Sequence, residues 1–98
     1  MILVRYTVKP DQTPVNASLV RAVFTELEAV QPAGLSYEVY VDGDTFFHVA
    51  DGEGLTSLPS FQAFLEGHGE RCVEPPVIAR VERVGAYVAR PITSAHRA

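Results

Sequence analysis

The segment from Leu35 to Ala50 constrains this chain more than any other stretch. Apolar and polar residues alternate on both sides of Asp42-Gly43, the pattern of two strands joined by a tight turn. One helix-patterned run precedes it and another follows. The expected order is therefore strand, helix, two strands, helix, strand. Such an order builds a small α+β sandwich in which the helices cover one face of the sheet and leave the other open.

The flanking elements have their own signatures. Ile2, Val4, Tyr6 and Val8 alternate with Leu3, Arg5 and Thr7, which predicts a first strand ended by Lys9-Pro10-Asp11. Leu19, Val20, Val23, Phe24, Leu27 and Val30 form a helical stripe. Thr13-Pro14 reads as its N-cap and first position, with Asn16 a competing cap one turn later, and Pro32 and Gly34 stop it. A two-residue Asp42-Gly43 loop sets Val41 opposite Asp44, Val39 opposite Phe46 and Tyr37 opposite His48. Asp51-Gly52-Glu53-Gly54 is a loop; it lacks the spacing of an EF-hand or a phosphate loop. Leu58, Phe61, Leu65 and Cys72 mark a second helix, capped by Ser57, started by Pro59 and weakened by Gly67 and Gly69. Pro75-Pro76 leads into a last strand from Val77 to about Ala89, with a bulge or bend at Gly85. Residues 1–90 read as a single domain and 91–98 as a loose tail.

Two helices on one side of a βαββαβ sheet give a ferredoxin-like antiparallel fold with the first strand central. The helix-side face is expected to hold Val4, Tyr6, Leu35, Tyr37, Val39, Phe46, His48, Ala79 and Val81. The opposite face holds Leu3, Tyr40, Phe47, Val49, Ile78 and Val84, mixed with Arg5, Glu38, Arg80 and Glu82. That mixture is too apolar for water and too charged for a core, and it suits a homodimer interface.

Composition narrows the partners. The net charge is −4 and no basic run occurs, which argues against nucleic acid and against an anionic membrane. No stretch reaches the roughly 18–20 apolar residues of a membrane span. No signal peptide is visible, and the single cysteine, Cys72, forms no internal disulfide. A cytoplasmic protein is expected.

His68 falls on the stripe of the second helix and faces the sheet. His48 and Tyr37 share that side of the hairpin, and Tyr6 shares it on the first strand. Tyr6, Tyr37, His48 and His68 are thus expected to converge between sheet and helices. Phe61 and Phe64 would wall the same space. Two imidazoles and two phenols in an apolar surround are the makings of a small-molecule site that handles protons. Each residue alone also has an ordinary explanation in core packing. His48 and His68 lack a third metal ligand, so neither a metal nor another cofactor is expected.

The opening Met1-Ile2-Leu3-Val4-Arg5-Tyr6-Thr7-Val8-Lys9-Pro10, the first helix pattern, the hairpin and the Phe61–Leu65 helix together resemble the dimeric α+β barrel superfamily. The resemblance is nearest to its antibiotic biosynthesis monooxygenase-like branch and spans roughly Met1 to Ala89. It implies two ferredoxin-like sheets paired face to face as a homodimer, helices outside, with a ligand pocket between sheet and helices. It also implies cofactor-independent, monooxygenase-like activity on a hydrophobic aromatic or polyketide-like molecule, or else a non-catalytic binding or structural role. Haem-degrading and quinone-forming members use a Trp. This chain has none, so no catalytic residue is carried over from them.

Overall fold

The computed structural model describes residues 1–89. Its elements run β1 (Ile2–Thr7), α1 (Thr13–Val30), β2 (Ser36–Asp42), β3 (Thr45–Asp51), α2 (Pro59–Leu65), α3 (His68–Arg71) and β4 (Val77–Arg80). Single 3₁₀ turns at Pro10–Gln12 and Leu55–Ser57 lead into α1 and α2. The sheet is antiparallel with order β2-β3-β1-β4, so β1 is an interior strand, as the crossover argument requires. This is the expected ferredoxin-like α+β arrangement.

The core lies between the sheet and the helices. Val20 and Val23 of α1 and Phe64 of α2 meet Tyr6, Val8 and Phe46 of the sheet. Phe46 is 2 % exposed and its ring stacks on Tyr6 at 5.5 Å between centroids. Burying a side chain of that size contributes about 1.5–3 kcal/mol. Val8 bridges to Cys72 beyond the end of β1, and Lys9 N–H donates to the Arg71 carbonyl at 2.8 Å. These bonds tie the end of α3 to the sheet and fix where Arg71 enters the interior.

Several expectations need correction. The hairpin loop is Gly43-Asp44, so Asp42 pairs with Thr45, Val39 with His48 and Tyr37 with Ala50. Gly43 has φ +61° and Asp44 does not share the positive sign, as in a type II′ turn, where Gly takes the first central position. The slip from the expected pairing is two residues, so every hairpin side chain keeps its assigned face. In β4 the slip is one residue. Val4 pairs with Ile78 and Ile2 with Arg80, which puts Ile78 and Arg80 on the helix side and Ala79 with Val77 on the open side. Val77-Ile78-Ala79 is apolar throughout, so alternation cannot set its phase, and no tight turn does so.

The last strand also stops at Arg80 and not at Ala89. Val81 N–H donates to the Met1 carbonyl at 2.9 Å, and beyond it no strand of the described chain lies alongside. Residues 82–89 are exposed. The second helix is two pieces, because Gly67 adopts φ +71° between α2 and α3. Thr13 is the first residue of α1 and not its cap; its hydroxyl donates to Asp44 Oδ1 at 2.6 Å. Asn16 and Ser57 do not cap either. Asn16 is fully buried inside α1, and the Ser57 hydroxyl donates to the Gly54 carbonyl. The tail from 91 to 98 lies outside the described residues.

Candidate functional site

A cavity of about 670 Å³ opens between the sheet and α2–α3. That is within the roughly 300–1,000 Å³ range of small-molecule sites. Tyr6, Tyr37, His48, Phe61, Phe64 and His68 all line it, together with the 52–57 loop, Ile2, Val4 and Ile78. The sheet supplies the first part of this set by parity. Tyr6 on β1, His48 on β3 and Tyr37 on β2 all project toward the helices. Phe61 and Phe64 come from α2, where Pro59 starts the helix at its first position. His68 opens α3 just after the Gly67 break.

His48 is the hub. Its Nε2 lies 2.7 Å from the Tyr6 hydroxyl and its Nδ1 2.7 Å from the Tyr37 hydroxyl. Tyr37 is therefore not directly across from His48, as the expected register had it, but reaches it diagonally. Both ring nitrogens are occupied. Burial, with a smaller contribution from nearby His68, pulls the His48 pKa down from 6.5 to about 4, so the ring is neutral near pH 7. Burial pushes both phenols well above their usual range; the Asn16 hydrogen bond offsets part of the effect at Tyr6.

His68 sits differently. Its ring meets Tyr6 edge-on at 4.3 Å and Phe64 at 4.9 Å, and it is only half-buried. Its ring nitrogens lie 3.7 Å (Nε2) and 3.9 Å (Nδ1) from the Cys72 thiol, a long and weak contact. Burial lowers its pKa, and the Arg71 charge lowers it further. Burial also raises the Cys72 pKa against the opposing pull of Arg71, which keeps the thiol protonated and fits its reading as an apolar filler.

Two further residues belong to the cluster, and pattern reading overlooked both. The Asn16 Nδ2 donates to the Tyr6 hydroxyl at 2.8 Å, and Arg71 Nε donates to Asn16 Oδ1 at 3.1 Å. Arg71 is 7 % exposed and has no ion pair among the described residues. It is satisfied instead by the carbonyls of Phe64 at 2.7 Å and Glu66 at 2.9 Å. The signal was present: Asn16, Val20, Val23 and Leu27 lie on one helical stripe, as do Phe61, Phe64, His68 and Arg71. A polar side chain on an apolar stripe is worth pursuing. Among the described residues, no group of three or more His, Cys, Asp or Glu side chains could hold a metal ion.

Fold and cavity together define a ferredoxin-like α+β protein with a hydrophobic chamber under its helices. That fold is shared with solved structures of antibiotic biosynthesis monooxygenases. A crystal structure of an antibiotic biosynthesis monooxygenase superposes with a TM-score of 0.68 at 14 % identity, over 86 % of this chain and 97 % of the other. Rv0793 from Mycobacterium tuberculosis gives 0.65 at 18 % identity, over 86 % and 96 %. The L-rhamnose mutarotase FA22100 from Formosa agariphila gives 0.53 at 18 % identity, over 89 % and 97 %. No family model matches the sequence, and no curated protein does. At such identities the likeness is one of fold, and this fold hosts more than one chemistry. No helix among the described residues is long and apolar enough to cross a membrane.

Proposed function

We propose that this protein binds a hydrophobic, aromatic or polyketide-like small molecule in the chamber and handles a proton on it. The observation that carries this reading is the apolar cavity of about 670 Å³ into which two imidazoles and two phenols converge. Phe61 and Phe64 give flat walls for a ring system, and Tyr6 and Tyr37 give the polar points that orient it. His68 is the group free to accept a proton, since its ring is neutral near pH 7 and its nitrogens make only the weak thiol contact. His48 acts with the phenols, because both its nitrogens are already bonded to them.

The reaction that fits is cofactor-independent and monooxygenase-like. Proton removal from an electron-rich phenol or enol raises its reactivity toward dioxygen. One oxygen atom then enters the product and the other leaves as water, with the substrate supplying the electrons. The antibiotic biosynthesis monooxygenase among the similar structures favours this chemistry. A non-catalytic ligand carrier shares every feature of the pocket and is the second reading. We further propose a homodimer through the open sheet face, in the cytoplasm, with neither nucleic acid nor membrane as partner.

Incubation with a panel of hydroxynaphthalenes and larger polycyclic phenols in air, followed by mass analysis, separates the readings. Oxygenated product that disappears in His68→Ala supports the enzyme. Thermal stabilisation by a panel member with none consumed supports the carrier. Undiminished turnover by His68→Ala removes His68 from the mechanism.

A further inference from the structure

The hydrogen bonds around His48 have a direction, and Arg71 sets it. A guanidinium only donates. Arg71 Nε, 3.1 Å from Asn16, must therefore face the amide oxygen, which turns Nδ2 toward Tyr6 as a donor. The Tyr6 oxygen accepts that bond at 2.8 Å, and its own proton has one acceptor within reach, His48 Nε2 at 2.7 Å. The opposite arrangement, with Nε2–H donating to Tyr6, strands the Tyr6 proton. Tyr6 is 3 % exposed, and an orphaned buried hydroxyl costs about 1–3 kcal/mol. Nε2 is thus the acceptor, and the neutral ring carries its proton on Nδ1. That proton is donated to the Tyr37 oxygen at 2.7 Å. The Tyr37 hydroxyl proton is left without a partner in the cluster, on a half-buried side chain that lines the cavity.

We propose that Arg71 and Asn16 are positioning residues that polarise a one-way relay, Arg71 to Asn16 to Tyr6 to His48 to Tyr37, so that Tyr37 presents a hydrogen-bond donor to a carbonyl, enolate or phenolate oxygen of the ligand. The claim rests on the chamber being a ligand site and adds to it the chemistry of the ligand's polar atom. Hydrogen bonds in series strengthen one another, so a cation at the buried end makes the terminal hydroxyl a better donor than an isolated phenol. Full transfer is disfavoured. If the ligand took the Tyr37 proton, Tyr37 would take the proton of His48 Nδ1 and His48 Nε2 that of Tyr6. The charge would then rest on Tyr6, whose phenol burial makes harder to ionise. The relay is built to stabilise a developing negative oxygen by donation.

The ring nitrogens of His48 report the direction through their ¹⁵N shifts in the unliganded protein. The expected result is the Nδ1–H tautomer; an Nε2–H tautomer or a charged ring near pH 7 overturns the relay. Asn16→Asp replaces a donor with an acceptor of the same shape, so Tyr6 then donates to the carboxylate. The expected consequence is a switch of His48 to Nε2–H, and an unchanged tautomer in this variant overturns the proposal. For the ligand, 2-acetylnaphthalene and 2-isopropenylnaphthalene have nearly the same shape, and only the first carries an acceptor oxygen. The ketone is expected to bind about 2–10-fold tighter, a preference lost in Tyr37→Phe. Equal binding of the two by the unaltered protein overturns the acceptor-oxygen claim. Binding of neither overturns the chamber as a ligand site, and that claim with it, while the tautomer still decides the relay.

Discussion

At the scale of single residues, His48 couples the site to stability. Its pKa falls from 6.5 in the unfolded chain to about 4 in the fold. Between those values the unfolded state binds the extra proton, so stability is full above pH 6.5 and declines as the pH falls toward 4. The span corresponds to a loss on the order of 3 kcal/mol, and His68, lowered for the same main reason, acts in the same direction. Urea unfolding at pH 7 and pH 4.5 checks this: His48→Gln is expected to start less stable and to lose less on acidification. Arg71 is a second single-residue dependency. Its fork reaches three separate acceptors, which a lysine ammonium cannot span from one point. Arg71→Lys is expected to cost about 1–3 kcal/mol, read as a fall in the urea midpoint. The sequence displays Asn16 and Arg71 as polar interruptions of apolar stripes. It does not display that they meet, because 55 residues separate them and long-range ties between the end of β1 and the end of α3 bring them together.

At the scale of elements, what could be read depended on whether a local device fixes the phase. Gly43 pins the hairpin, and a two-residue error in pairing left Tyr37, Phe46 and His48 facing the helices. Nothing comparable pins β4, and a one-residue error in its expected phase put Ile78 on the open face, whereas it forms part of the cavity wall. The break of the second helix at Gly67 was legible as weakness but not as a left-handed residue, since many glycines in helices keep φ negative. The loop at the cavity rim depends on a tighter device. Gly52 has φ +100°, and a Cβ there would lie 2.1 Å from the Gly34 carbonyl oxygen. The other crowding atoms, Gly34 C and Leu35 Cα at 3.0 Å, are also backbone, so none can move aside alone. Gly52→Ala is expected to cost more than about 2 kcal/mol and to raise amide exchange across 52–57. Gly69 in α3 has open space where its Cβ would be and no positive φ. Gly69→Ala should instead stabilise the fold by about 0.5–1 kcal/mol in the same unfolding assay.

At the scale of the whole molecule, the unfinished surface decides how the chain exists in solution. Leu3, Phe47, Val49 and Ala79 are half-buried on the face away from the helices, and Tyr40 and Val77 are more than half exposed there. Neither Arg5 nor Glu38, on the same face, makes an ion pair within the described residues. Four strands about 4.8 Å apart and about 3.3 Å per residue present a face of roughly 400 Å² in projection. A standard interface buries about 800 Å² per partner, so the sheet face alone is small for a stable dimer. In the proposed dimer, residues 82–89 would supply the missing area. They leave the body beyond Val81 and expose Val84, Tyr87 and Val88 almost completely, a poor arrangement for a lone chain in water. A dimer in which each copy lays this segment along the other satisfies both surfaces. Sedimentation at micromolar concentration is expected to show two chains together. Phe47→Asp places a charge in the middle of the buried face and is expected to yield monomer. Val84→Ser combined with Tyr87→Ser is expected to weaken association by at least tenfold while leaving the His48 tautomer unchanged, because the relay lies wholly within one chain. A monomeric wild type would mean that the half-apolar face and its trailing segment are stable in water, and the homodimer would then be withdrawn while the chamber and its relay stood.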